Sequence, residues 1–270
     1  MIETLTAWKP RALSVLRIAA GLMIIEHGMA KYLGFPVVPA LAKVQALSMP
    51  GIGGMFELVC GALLILGLFT QPAAFLLAGE MAVAYFTAHA PRSFYPLLNG
   101  GTLAICYCFA FLYLATAGGG PWSLDAVIKR SQGSALDKFN AMLARFEPQA
   151  LSLFRFVTGL LFFQFGVAKL LKFPIVPGLS DIELLSLFGI AGIFELFVGG
   201  LLMLGLLSRL AGFILSGEMA FAYFIEHFPK NFIPILNGGS IVIMFCFSCL
   251  YFLCAGGGPW SLDALMRRKS

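Results

Sequence analysis

The chain states one sequence twice. Gly79-Glu80-Met81-Ala82 returns as Gly217-Glu218-Met219-Ala220, and Asn99-Gly100-Gly101 returns as Asn237-Gly238-Gly239. Residues 118–126 (GGGPWSLDA) return letter for letter at 256–264. Arg17, Lys31, Glu57, Tyr85, His89, Pro96 and Asp125 recur as Arg155, Lys169, Glu195, Tyr223, His227, Pro234 and Asp263. Each pair is 138 positions apart. A tandem duplication of one unit is therefore the first constraint on any fold. It also sorts the polar residues, because a side chain present in both copies stands out from one present in a single copy.

Composition identifies the solvent. Hydrophobic residues make up 60% of the chain and charged residues only 11%, against about 25% charged in a soluble domain. The apolar residues come in runs at 13–33, 51–70, 72–90 and 97–117. The second copy repeats them at 151–171, 189–208, 210–228 and 235–255. Each run is near the roughly 20 residues that cross a bilayer as a helix. Backbone groups in lipid must be paired within the segment, which makes runs of this length helices. The expectation is an all-α polytopic membrane protein with eight transmembrane helices, arranged as two four-helix bundles. No cleavable signal peptide is expected: the first run carries Arg17, Glu26, His27 and Lys31 and lacks a clean apolar stretch.

The net charge of +5 sits at the ends of the runs and gives no sign of a nucleic-acid partner. Lys9, Arg11, Arg17, Lys129, Arg130, Lys138, Arg145, Arg155, Arg209, Arg267, Arg268 and Lys269 fall on one side. Only Lys31, Lys43, Arg92, Lys169, Lys172 and Lys230 fall on the other. This asymmetry places both termini and the central linker in the cytoplasm. Four spans per copy make the two copies parallel repeats, related by an axis along the membrane normal. The expected units are 1–128 and 149–270. The polar linker 129–148 joins them, with a turn at Gln132-Gly133-Ser134 and an amphipathic helix over 135–146 on the membrane surface.

Ionisable groups inside spans are costly and normally face the protein interior or a wet cavity. Lys31 and Glu57 lie at matching depth, so an ion pair between them is expected, and Lys169 with Glu195 repeats it. At the other end Arg17 has a natural partner in Asp125, and Arg155 in Asp263. These four pairs read as structural clamps. Glu80 and Glu218 lie in mid-span with no route to either surface. A polar cavity in each unit is expected around them, lined by Glu80, Tyr85 and Asn99 in the first and by Glu218, Tyr223 and Asn237 in the second. Gly79 and Gly217 are expected to thin the helix there. Glu26 and His27 are matched by Gln164 and Phe165, so any chemistry they perform belongs to the first copy alone. The six cysteines lie in apolar runs, and the Cys246/Cys249 pair reads as two small apolar residues rather than a redox pair. Trp122 and Trp260 read as interfacial anchors. No metal site is expected, and the Gly118-Gly119-Gly120 turn lacks the setting of a phosphate loop.

The spacing Leu13…Arg17…Gly21…His27-Gly28…Lys31, then Phe56-Glu57-Leu58…Gly61…Gly67, then Gly119-Gly120-Pro121-Trp122-Ser123-Leu124-Asp125 resembles the DoxX family of four-helix bacterial membrane proteins. The second copy matches except that Phe165 replaces the histidine. The resemblance implies two fused DoxX-like units in a bacterial inner membrane. It also implies a redox-linked role, with a quinone as ligand and no intrinsic cofactor. The activity would be at most that of a subunit of a quinone-linked oxidoreductase, with another membrane or membrane-associated protein supplying the redox centre. As neutral acids, Glu80 and Glu218 could donate a hydrogen bond to a quinone carbonyl. Two other classes stay open. One is a scaffold subunit of a larger membrane complex. The other is a proton-coupled small-molecule transporter, disfavoured by spans that read as unbroken.

Overall fold

The computed structural model describes residues 2–128 and 134–267, and every segment of regular structure in them is helical. The linker residues Lys129 and Arg130, most of the expected Gln132-Gly133-Ser134 turn, and Arg268 and Lys269 lie outside the described residues.

The first half begins with α1 (Ile2–Tyr32) and α2 (Met49–Leu66). Ser48 caps α2 by accepting a hydrogen bond from Gly51 N, and Gly67, at φ 68°, ends it in the left-handed conformation. A short turn leads into α3 (Thr70–Ala84), which continues as a π turn over Tyr85–His89. The fourth expected span is broken. A single turn, α4 (Pro96–Asn99), stops at Gly100 with φ 71°, and α5 (Thr102–Ala117) starts afresh. After the short α6 (Leu124–Val127), the chain resumes as α7 (Ala135–Ala144), closed by a capping box between Ser134 and Asp137. Phe139 of α7 packs edge-on against Phe75 of α3, 5.8 Å between ring centroids.

The second half repeats this order 138 residues later. It comprises α8 (Glu147–Gly166) with a π turn at Val167–Leu171, α9 (Leu187–Leu204) and α10 (Ser208–Ala222) with a π turn at Tyr223–His227. These are followed by α11 (Pro234–Asn237), α12 (Ser240–Ala255) and α13 (Leu262–Arg267).

Among the described residues four helices, rather than the expected eight, are long and apolar enough to cross a membrane by length and composition. They run over Glu3–Tyr32, Met49–Leu66, Glu147–Leu171 and Leu187–Leu204. Helices α5 and α12 are apolar but shorter, because the Asn-Gly-Gly break removes their first turn. Phe86, Phe197, Phe213 and Phe224 are each more than half exposed on the outside of the body. So much exposed aromatic surface suits lipid rather than water.

The halves do not form two separate bundles. Helix α1 packs on α2 and α12, and α5 on α3 and α8, so α1, α5, α8 and α12 make a shared central layer. The pairs α2/α3 and α9/α10 flank it. The reason is volume: Phe111, Tyr113, Phe154, Tyr251 and Phe252 are all fully buried and fill the space between the halves. Phe154 sits 5.7 Å from Tyr113 and 4.9 Å from Phe252 between ring centroids. Within each half the two long helices touch at backbone distance. A methyl group added at Gly28 would lie 2.5 Å from Leu58 N, and one at Gly166 would lie 2.3 Å from Leu196 N. Gly79 and Gly217 play no such part: nothing lies within 4 Å of the corresponding positions. They face outward and do not open space beside the glutamates.

Candidate functional site

The Arg17 end of the first half is a knot of main-chain carbonyls. Arg17 is wholly buried and donates to Gly119 O at 2.9 Å, to Ile65 O at 2.8 Å, and to Leu64 O and Trp122 O. Asp125 caps α3: its carboxylate accepts from Phe69 N at 2.9 Å and Thr70 N at 2.8 Å. Arg155 and Asp263 repeat both roles, the first on Gly257 O, Leu202 O, Met203 O and Trp260 O, the second on Leu207 N and Ser208 N. The expected Arg–Asp partners thus meet at one segment, where each also hydrogen-bonds the backbone. The guanidinium fork matches several converging carbonyls, and a carboxylate suits the free N–H groups of a helix start. The repeated GGGPWSLD segment supplies two of these carbonyls and the capping carboxylate in each half.

At the opposite end, Lys31 Nζ lies 2.8 Å from Glu57 Oε1 and 2.7 Å from Oε2, with both side chains nearly buried. Lys169 and Glu195 lie 2.7 Å apart in the second half. A cavity of about 580 Å³ opens beside the first of these pairs, between α1, α2, α3 and α5. Its polar lining includes His27, Lys31, Glu57, Glu80, His89 and Tyr107, and most of the wall is apolar. Glu80 closes on Gly53: a methyl group there would lie 2.7 Å from Glu80 Oε1 and would turn the carboxylate aside. Glu80 Oε2 and the hydroxyl of Tyr107 are buried without a hydrogen-bond partner. Tyr107 is held flat against Phe111 at 5.4 Å and meets His27 edge to face at 6.3 Å. His27 Nδ1 lies 3.3 Å from Met23 O.

Tyr85 and Asn99 stand behind this cavity rather than in its lining. Asn99 Oδ1 accepts from Gly101 N at 2.7 Å and its amide donates to Ser93 O at 2.8 Å, so it builds the helix break. Tyr85 packs over Gly101, where a methyl would lie 2.6 Å from its ring, and lies 3.4 Å from the Asn99 amide through its hydroxyl. His89 hydrogen-bonds Asn99 O at 3.0 Å. The π turn carries His89 round to the cavity, in keeping with the frequent placement of such turns at functional sites. In the second half Asn237 and His227 make the same bonds, and Tyr223 stacks on His227 at 6.3 Å. Both carboxylate oxygens of Glu218 are buried without a partner.

Tyr107 carries no signal in the sequence, since it sits in an apolar run and its repeat partner is Phe245. His27 is set aside by the same filter. Glu26, its neighbour, accepts from Ile235 N at 2.9 Å and fastens α1 to the second half. The cysteines are free, and Cys246 and Cys249 are not bonded to each other. Among the described residues no group of three or more His, Cys, Asp or Glu side chains is placed to hold a metal ion. What the cavity offers is a mostly apolar space with a few hydrogen-bonding groups in its wall, the form of a small-molecule site.

The DoxX family profile matches residues 12–90, which carry most of α1, all of α2, Glu80 and His89. An uncharacterized protein of Haemophilus influenzae is 42% identical over 132 residues, 46% of this chain and 96% of that protein. An uncharacterized membrane protein of Mycobacterium tuberculosis is 25% identical over 132 residues, 43% of this chain and 80% of that protein. A second uncharacterized protein of Haemophilus influenzae is 36% identical over 74 residues, 27% of this chain and 49% of that protein. No solved structure matches. With glycine-packed apolar helices, an outward aromatic surface and the matched profile together, this chain is a membrane protein that belongs to the DoxX family.

Proposed function

We propose that the chain is two DoxX-like units, 1–128 and 149–270, joined by the linker 129–148, and that it binds a quinone or a molecule of similar build in the cavity beside Glu80. In this reading eight helical segments cross a bacterial inner membrane, with both termini and the linker in the cytoplasm. The observation that carries the ligand is the pairing of an apolar cavity of about 580 Å³ with two buried, unpartnered groups at its wall, Glu80 Oε2 and the Tyr107 hydroxyl. Buried polar groups normally find partners, and a carbonyl oxygen entering the cavity would accept from the Tyr107 hydroxyl and from Glu80 in its protonated form. The chain offers no redox centre of its own in this reading. Electrons would come from a cofactor on a partner membrane protein, and this chain would seat the quinone. The test is binding of decylubiquinone to the purified protein in lipid nanodiscs. Saturable binding weakened at least tenfold by Glu80→Gln supports the reading; binding indistinguishable from empty nanodiscs ends it.

A second reading has its own support. The break at Asn99-Gly100-Gly101 interrupts a helix beside the cavity, as in many transporters. Proton-coupled substrate flux in proteoliposomes, lost in Glu80→Gln, would favour transport over quinone seating.

A further inference from the structure

The two halves share a backbone plan but not an interior. Gly53, Ile24, His27 and Tyr107 line the cavity that Glu80 enters; the equivalent positions of the second half hold Ala191, Phe162, Phe165 and Phe245. Phe162 and Phe245 are buried with ring centroids 4.4 Å apart, and Phe165 meets Phe245 edge-on at 6.2 Å. Three aromatic rings therefore occupy the region where the first half places an isoleucine, a histidine and a tyrosine. The change from Gly53 to Ala191 acts the same way. Glu80 leans into space that a methyl group at position 53 would take, and Ala191 carries that methyl group. Both carboxylate oxygens of Glu218 are buried and unpartnered, where Glu80 has one such oxygen, although each residue is partly exposed.

We propose that the chain takes a single ligand, in the first half only, with His27 and Tyr107 holding its polar head, and that the second half is packed shut by Phe162, Phe165 and Phe245. The inference rests on the ligand-binding reading of the cavity. Tyr107 is 2% exposed, and its hydroxyl lacks a partner in a residue that lines the cavity. Its donor would meet a carbonyl or hydroxyl oxygen of the ligand. His27, whose Nδ1–H donates to Met23 O, is left with Nε2 as an acceptor, which suits a ligand hydroxyl such as that of a quinol. The ligand class is a neutral, mostly apolar molecule with a hydroxyl at one end, which accepts from Tyr107 and donates to His27, as in the quinol form of a quinone. The second half then serves as the wall that completes the shared central layer.

The experiment is native mass spectrometry of the full chain released from detergent with decylubiquinone, alongside mapping of the carboxyls modified by dicyclohexylcarbodiimide. One quinone adduct per chain is expected, with Glu80 modified, Glu218 spared and Glu80 protected by the quinone. The double variant His27→Phe/Tyr107→Phe gives the first half the residues the second half already folds with. Its adduct should fall at least tenfold with an unchanged elution profile. Two adducts, or an adduct that survives in the double variant, would overturn the proposal. So would equal carbodiimide modification of Glu80 and Glu218. Absence of any quinone adduct with selective modification of Glu80 would instead remove the quinone and leave the single open half standing.

Discussion

Lys9 Nζ lies 3.0 Å from Glu147 Oε1, although the two residues occupy the same position 138 residues apart. The pair sits where the halves meet themselves. Tyr113 and Tyr251, also 138 apart, hydrogen-bond through their hydroxyls beside it, and Tyr113 donates to Glu147 at 2.9 Å. Two identical halves would place like against like here, lysine on lysine or glutamate on glutamate. Opposite charges at equivalent positions make the contact attractive and tie α1 to α8.

Charge reversal tests this contact. Lys9→Glu sets two carboxylates together, and Glu147→Lys sets two ammonium groups together. Each should lower the melting temperature in detergent, by about 1 kcal/mol or less of stability, because the side chains are a quarter to a third exposed. The double swap should recover most of the loss. Tyr251 stands to position 9 as Tyr113 stands to position 147, so a hydroxyl is in place for the exchanged carboxylate. A double variant no better than the worse single one would refute the symmetric account.

The Lys31–Glu57 pair should behave as a structural clamp. Removing one partner leaves a buried charge alone and costs about 3 kcal/mol. Glu57→Gln should therefore melt well below wild type, and Lys31→Met/Glu57→Leu should melt above either single variant. Glu80→Gln removes no ion pair and should change stability far less. The measurement is thermal unfolding of the three variants in one detergent; an equal loss for Glu57→Gln and Glu80→Gln would erase the division of roles.

Gly28 and Gly79 separate packing from placement. A methyl at Gly28 lies 2.5 Å from the Leu58 backbone nitrogen, so neither side chain nor rotamer can yield. Gly28→Ala should cost about 1–3 kcal/mol, as overpacking does, and Gly166→Ala should match it. Gly79→Ala meets nothing within 4 Å and should be neutral or stabilising by up to about 1 kcal/mol through helix propensity. A neutral Gly28→Ala would mean that α1 and α2 are not in backbone contact.

The register of the repeat and the outline of the helices are written in the sequence because apolar runs and glycine spacing are local signals. Lys31 and Glu57 can be placed at one depth by counting residues. The helix break at Asn99-Gly100-Gly101 is less legible, since the same letters fit a span entrance, and only the left-handed Gly100 decides it. The pairing of halves across α1/α12 and α5/α8 depends on aromatic volumes summed over four helices, which no periodicity records. The site suffered most from the repeat itself. Searching for polar residues present twice selects Tyr85, Asn99, Tyr223 and Asn237, which build the backbone break. It passes over His27 and Tyr107, whose partners are phenylalanines. Residues that shape a common scaffold recur, whereas residues that distinguish one half need not.

Arg17 carries the last prediction. Its guanidinium is fully buried and reaches carbonyls on α2 and on the segment after α5 at once. A lysine keeps the charge but concentrates three donors on one nitrogen, which cannot span acceptors on opposite sides of the side chain. Arg17→Lys should therefore leave at least one of Gly119 O and Trp122 O without its donor, at about 1–3 kcal/mol per buried group. The α2–α3 turn should loosen with it, because Asp125 is held to Gly67 O through its own N–H at 2.9 Å and caps α3 from that same segment. Hydrogen exchange is the measurement, with faster exchange expected at Phe69 N and Thr70 N in Arg17→Lys while α9 and α10 stay at wild-type rates. Arg155→Lys should produce the mirror result at Leu207 N and Ser208 N. Exchange unchanged at these four amides would mean that the carbonyl knot and the Asp cap are independent, and that the GGGPWSLD segment is held in place by packing alone.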